Sequence, residues 1–266
     1  MKTVVITGAT SGIGRATAAV FKEKGYQVYG IARRVGTDEG IKYLTADVTS
    51  FESLEAVFKQ ISEEVPTIDI LINNAGMGIS GSVENTTTED AHYIFNVNVF
   101  GVFNAMKAVI PYMRAQGHGK IINISSVAGK LSIPFQAFYS ATKAAVNKLT
   151  EAIRIEVKPF NIQVMNIMPG DVKTDFTKNR RKNVQNEEYY GTRIEKSLEV
   201  MEKDEQNGMP SSYVGKVIYR VSQKRRLPLY KTIGFKYKIF VGLSKFLPSR
   251  FVNNVVGSIY GFTKEK

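Results

Sequence analysis

Val4 to Phe21 reads VVITGATSGIGRATAAVF, and this stretch decides the fold. Val4, Val5 and Ile6 form a short β-branched run that breaks at Thr7-Gly8. After Gly12-Ile13-Gly14 the apolar residues Ala16, Ala19, Val20 and Phe21 follow helical spacing. A strand, a glycine turn and a helix in that order begin an α/β protein with a parallel sheet. Glycines let a backbone approach a pyrophosphate, and a helix N-terminus offers unpaired N–H groups and a favourable dipole. Gly8, Thr10, Ser11, Gly12, Ile13 and Gly14 are therefore a candidate phosphate cradle. Taken alone, the same turn serves equally as a plain strand-to-helix connection.

Downstream, the alternation of strand and helix continues. Residues 27–32 read as a second strand, and the residues at its end bear on cofactor choice. A carboxylate there would bond the ribose hydroxyls of NAD, whereas an arginine accepts the 2′-phosphate of NADP. This chain has Ala32-Arg33-Arg34, which favours NADP(H) over NAD(H); solvated loop charge is the bland reading of the same pair. Residues 41–46 predict a third strand ending at Asp47-Val48, after which Thr49 or Ser50 caps a helix running to about Glu64. Residues 69–72 predict a fourth strand leading into Asn73-Asn74-Ala75-Gly76. Residues 88–114 predict a long helix disturbed at Asn96-Val97-Asn98, because an asparagine amide competes for backbone groups inside a helix.

A fifth strand at residues 120–124 delivers Ser125-Ser126, and Tyr139 and Lys143 follow, four apart in a helical run to about Val157. That spacing puts a phenol and an ammonium on one helix face. A nearby cation favours the phenolate and lowers a tyrosine from its usual value near 10, which turns a poor acid/base into a usable one. By sequence alone either serine could supply a hydroxyl to the oxygen that Tyr139 protonates. An isolated Y-x-x-x-K pair is more often ordinary helix surface. A sixth strand at residues 161–168 ends at Pro169-Gly170-Asp171-Val172-Lys173-Thr174.

With these pieces in place, T-G-x-x-x-G-I-G from Thr7, N-N-A-G from Asn73 and Ser-x12-Tyr-x3-Lys from Ser126 resemble the classical short-chain dehydrogenase/reductase family, from Lys2 to about Asp175. L-P-x-R at Leu247 and Y-x-T-x-G at Tyr230 resemble its hydroxysteroid-dehydrogenase-like branch. The resemblance implies a single-domain Rossmann-type doubly wound parallel sheet with helices on both faces. It implies Asn98, Ser126, Tyr139 and Lys143 as the catalytic residues, choosing Ser126 over Ser125 by spacing and giving Asn98 a water that links the lysine to solvent. Cofactor contacts fall, besides the glycine turn, Arg33 and Arg34, to Asp47 and Val48 at the adenine and to Asn74, Ala75 and Gly76. Tyr139 and Lys143 join them, as do Pro169, Gly170, Val172 and Thr174 beside the nicotinamide. The basic residue that some NADP-dependent members carry in the glycine loop is Ser11 here.

Composition narrows the alternatives. A chain of 266 residues, 43% hydrophobic, can bury one large core, so one domain is expected: residues 1–175 as cofactor and catalytic core, 176–266 as substrate lid and basic extension. With no cysteine and two histidines, disulfides and thiolate or histidine-rich metal sites are excluded, and no metal is expected. The apolar run at the N-terminus is too short for a signal peptide, and a cytoplasmic protein is expected. Of the net charge of +12, the segment from Met209 to Lys266 carries +11, twelve basic residues against Glu265 alone.

That tail interleaves cations with aromatic and aliphatic residues. It reads as surface helices after an edge strand near Thr232, as the wall of a lipophilic pocket, or as a peripheral contact with anionic membrane. Nucleic acid is not an expected partner, since no recognition motif accompanies the charge. Residues 178–205, polar and mixed in charge, predict a mobile helix-loop cover. The reading as a whole is an NADP(H)-dependent oxidoreductase interconverting a secondary alcohol and a ketone, on a hydrophobic substrate such as a hydroxysteroid, in a homodimer or homotetramer. The competing accounts are a non-catalytic NADP(H) sensor or scaffold and a lipid-surface adaptor.

Overall fold

The computed structural model describes residues 1–183 and 189–260. Strand β1 (Thr3–Thr7) passes through the glycine turn into α1 (Gly12–Glu23), and β2 (Gln27–Ala32), β3 (Lys42–Thr45) and α2 (Phe51–Glu64) follow. After β4 (Ile70–Asn73) and the short β5 (Ile79–Gly81), helix α3 (Thr88–Phe95) runs through a π-helical turn at Asn96–Phe100 into α4 (Gly101–Ala115). Strand β6 (Gly119–Ile124) leads to α5 (Ala137–Glu156) and β7 (Ile162–Pro169). The remainder comprises β8 (Val172–Lys173), β9 (Arg181–Asn183), α6 (Arg193–Gln206), β10 (Met209–Pro210), α7 (Ser211–Ser222), β11 (Tyr230–Ile233), α8 (Phe235–Leu243) and α9 (Ser249–Ile259).

Seven strands form one sheet in the order β11-β7-β6-β4-β1-β2-β3, with every pairing parallel. From β1 the chain builds outward through β2 and β3, then returns to build the other half from β4. The order therefore reverses between β1 and β4, and the crevice beyond their carboxyl ends is where such sheets bind ligands. Burial on both sheet faces explains why the central strands read as continuous apolar runs. One layer packs Leu54, Phe58, Met106 and Val109 of α2 and α4 on Val5, Leu71 and Ile121. The other packs Phe21, Val214 and Ile218 of α1 and α7 on Val4, Ile6 and Ile122.

The helical run from Thr88 to Ala115 is long and apolar enough to cross a membrane, and 56% of its apolar window is buried in the protein. Its break at Asn96–Phe100 follows the sequence expectation. Ser50 caps α2 by accepting from Ser53 N at 3.1 Å, resolving the choice left between Thr49 and Ser50. Two features escaped the sequence. Asn73, Asn123 and Asn166 stand in register on β4, β6 and β7, linked by Asn73 Nδ2 to Asn123 Oδ1 at 2.9 Å, Asn123 Nδ2 to Thr150 Oγ1 at 2.8 Å and Thr150 Oγ1 to Asn166 Oδ1 at 2.9 Å. And residues 178–205, expected as a mobile cover, include β9, which pairs in parallel with β5 and ties the cover to the catalytic half.

Candidate active site

The cleft lies where the topology puts it, with a volume of about 600 Å³. At one end, Gly8 and Gly12 adopt φ of +66° and +51°, a backbone that side chains rarely take. A Cβ on Gly14 would lie 2.2 Å from Gly8 O, so the turn closes only with glycine there. Helix α1 follows Ser11, whose side chain makes no capping hydrogen bond, and has no acid in its first turn. Its leading N–H groups are thus left for an anion. A cradle that a Cβ would fill, opening onto uncapped amides, fits a dinucleotide pyrophosphate. Asn74 secures it, donating from Nδ2 to Thr7 O at 3.1 Å and Gly8 O at 3.0 Å.

The structure brings most of the sequence-derived residues to this cleft. Gly8, Thr10, Ser11, Gly12 and Ile13 line it, with Arg33, Arg34, Asp47 and Val48 at the ends of β2 and β3. Asn74, Ala75 and Gly76 follow β4, and Pro169 at the end of β7 is followed by Gly170, Val172 and Thr174. Two are set back from the surface. Gly14 serves the closure of the turn, and Asn98 is fully buried. Asn98 Nδ2 donates to Met77 O at 2.9 Å and Thr142 Oγ1 at 3.1 Å, while its Oδ1 accepts from Met77 N at 2.8 Å. The side-chain amide is thus engaged within the protein at both its nitrogen and its oxygen.

Ser126, Tyr139 and Lys143 converge at the other end. The two serines part company. Both line the cleft, but Ser125 is buried and its Oγ donates to Lys143 O at 3.2 Å, whereas Ser126 Oγ caps the following turn through Ala128 N at 3.1 Å and acts on the Tyr139 phenol. The electrostatics differ from the sequence expectation. Burial pushes the Tyr139 phenol up to about 12, with the Ser126 bond pulling the other way. Lys143 Nζ donates to Ile124 O at 3.0 Å and lies 5.7 Å from the Tyr139 ring centre. Burial brings this lysine down to about 8. Desolvation is the largest influence on both groups, and on the phenol it acts against the lowering expected from a nearby ammonium.

The substrate end contains groups that sequence reasoning passed over. Asp171, Phe176 and Glu205 line it with Gln136 and Tyr260. The Phe176 ring centre lies 5.7 Å from that of Tyr139. Glu205 is held by Arg180 and Thr177, and the Arg180 side chain is only 1% exposed, with Nε and Nη1 lacking hydrogen-bond partners among the described residues. Asp171 accepts from Tyr237, and Lys236 approaches it at 3.7 Å. Burial, followed by Asp204 among its neighbours, pushes the Asp171 carboxyl up to about 6. Phe135, at φ +57°, holds the loop before α5 in a strained backbone and sets its ring against Tyr190. Charge order in residues 178–205 gave no sign of the Arg180–Glu205 pair, because the partners meet only after the chain folds back.

Comparison with known proteins agrees with this geometry. The family described as short chain dehydrogenase matches residues 2–185. A 3-ketodihydrosphingosine reductase of Bacteroides thetaiotaomicron is 40% identical over 262 residues, covering 97% of each chain. The solved short-chain dehydrogenase of Streptomyces avermitilis superposes with a TM-score of 0.83 at 28% identity, covering 98% of each chain. Neighbours differ in cofactor. A Burkholderia phymatum short-chain dehydrogenase/reductase in complex with NAD (25% identity, TM-score 0.79, 92% of this chain and 93% of that one) stands beside ElxO with NADP bound (27%, 0.74, 90% and 99%). The chain belongs to the short-chain dehydrogenase family and is an NAD(P)-dependent oxidoreductase.

Proposed function

We propose that this protein is an NADP(H)-dependent ketone reductase acting on a long-chain 2-amino-3-ketone of the 3-ketodihydrosphingosine type. The observation that carries the chemistry is the convergence of Ser126, Tyr139 and Lys143 on one end of a cleft whose other end is a phosphate cradle. When bound, the reduced nicotinamide supplies the hydride. Tyr139, protonated throughout the physiological range at a value of about 12, gives its proton to the substrate oxygen. Ser126 Oγ donates to the same oxygen and polarises the carbonyl, as fixed donors do for a developing oxyanion. Lys143 holds the nicotinamide ribose and passes a proton back to Tyr139, and is itself reprotonated from solvent by a water held on the Asn98 main-chain carbonyl. A phenol held protonated suits reduction better than alcohol oxidation.

The cofactor reading rests on Arg33 and Arg34 at the cleft wall and on the lack of any acid from Arg33 to Thr37, directly after β2. Asp38, the first acid beyond that strand, is taken up by Arg15 at 2.7 Å and Tyr43 at 2.7 Å. The substrate reading draws on the similar Bacteroides reductase and on the acids at the substrate end. Asp171 and Glu205 line the cleft with Asp204 within electrostatic range, in a chain whose net charge is +12. Such a pocket suits an ammonium beside a ketone better than an uncharged steroid. The test is a panel of ketones with NADPH and NADH. Turnover of a long-chain 2-amino-3-ketone with NADPH, well above its des-amino counterpart and a 3-ketosteroid, is expected. Steroid turnover without amino-ketone turnover would overturn the substrate reading.

A further inference from the structure

The two last helices carry apolar side chains on both sides, and only one side is used in packing. On α8, Val241 is buried, with Tyr237 and Phe240 packed in the same cluster, and on α9 Val252 and Val256 turn inward against Leu131 and Met168. Exposed are Phe235, Ile239 and Leu243, at i, i+4 and i+8 of one helix, and Phe251 and Ile259 at i and i+8 of the other, with Val255 between them half-buried. Phe246, in the connection between them, is 87% exposed, and Phe235 is 79% exposed. Six of the fifteen large apolar side chains exposed among the described residues lie between Phe235 and Ile259. A second apolar stripe on each of two consecutive helices is more than the core needs.

The charge around these stripes is of one sign. Lys236, Lys238, Lys245 and Arg250 are exposed among them, and the sequence has no acid from Met209 to Tyr260. Of the four, only Lys236 has an ion-pair partner among the described residues, Asp171. Like charges crowd here: Lys231 is held below the usual lysine range by burial and then by Lys238, Lys224 and Arg220. Lys264, Glu265 and Lys266 lie outside the described residues.

We infer that α8, α9 and the Phe246 connection form a docking surface for an anionic lipid bilayer, with the apolar stripes entering the interface and the cations meeting lipid phosphates. Amphipathic helices with basic flanks bind membranes in this way. A second copy of the chain fits the surface less well, because apposing two such faces sets cation against cation. The inference rests on these helices and not on the substrate proposed above. The two meet in the fold, since Tyr260, just beyond α9, lines the cleft, and Tyr237 of α8 reaches Asp171. A lipid-like ketone would then be met at the surface that holds it.

Flotation of the full chain with vesicles of phosphatidylcholine alone, or with 30% phosphatidylglycerol, tests this at low and high salt. Binding to the anionic vesicles that is at least tenfold above the neutral ones, and falls with salt, is expected. The variant F246S/F251S should lose flotation while keeping its melting temperature and its cofactor affinity. K238E/K245E should lose the dependence on anionic lipid. Equal flotation with both vesicle types, or none with either, would overturn the inference. So would absence of flotation joined to a drop in oligomeric state in F246S/F251S, which would mark the face as an interface between copies. Neither result requires turnover of any ketone, so each stands apart from the test of substrate.

Discussion

Lys143 Nζ lies 5.7 Å from the centre of the Tyr139 ring and gives its hydrogen bond to Ile124 O, so the ammonium is anchored to the end of β6 while the phenol stays protonated. Because kcat/KM reports groups of the free enzyme, its pH profile for reduction of an uncharged ketone should be level below pH 8. It should fall above that value as Lys143, brought down to about 8, loses its proton. A profile that rises from pH 7 to 10 would mean that the phenolate, and not the phenol, does the work.

Arg33 bonds Tyr93 Oη at 3.2 Å across the rim and is free to turn to a 2′-phosphate. Charge-assisted hydrogen bonds contribute about 1.5–3 kcal/mol. R33A/R34A should therefore weaken NADPH by about 10- to 100-fold in fluorescence titration and leave NADH nearly unchanged. Equal loss for both cofactors would assign these arginines to structure alone.

Asp171 gives the substrate reading a pH signature. Its carboxyl, pushed up to about 6 by burial and then by Asp204, is mostly neutral below that value and anionic above it. An anion attracts an ammonium, so KM for a 2-amino-3-ketone should fall as pH rises through 6, and KM for the des-amino ketone should stay flat. In D171N the two substrates should respond alike.

Arg180 and Glu205 form a pair whose side chains are 1% and 16% exposed. Removing one partner of a buried pair leaves an uncompensated charge, at a cost of about 3–5 kcal/mol. R180M should lower urea stability by about 3 kcal/mol, and R180M/E205Q should recover part of it. No recovery in the double variant would assign the loss to packing of Arg180 on Phe176.

The parts of the protein visible in the sequence are those fixed over short distances. Gly8, Gly12 and Gly14 announce a turn that only glycine can close, and Asn96-Val97-Asn98 announces the π-helical break, because both effects act within a few residues. The asparagine row through Asn73, Asn123 and Asn166 was hidden, since strand register joins positions 50 and 43 apart and no local pattern encodes it. Spacing on α5 shows the cation beside Tyr139 and predicts a lowered phenol, whereas the burial that raises it depends on residues such as Phe176 that the fold brings against the ring.

The most direct test of the central claim is stopped-flow reduction of a long-chain 2-amino-3-ketone by NADPH with the native protein and Tyr139→Phe. Loss of a general acid costs about 10²- to 10⁴-fold in rate. The account expects Tyr139→Phe to bind NADPH with unchanged affinity and to lose hydride transfer by at least that lower factor. Hydride transfer preserved in Tyr139→Phe would contradict it and move the proton donor elsewhere in the cleft.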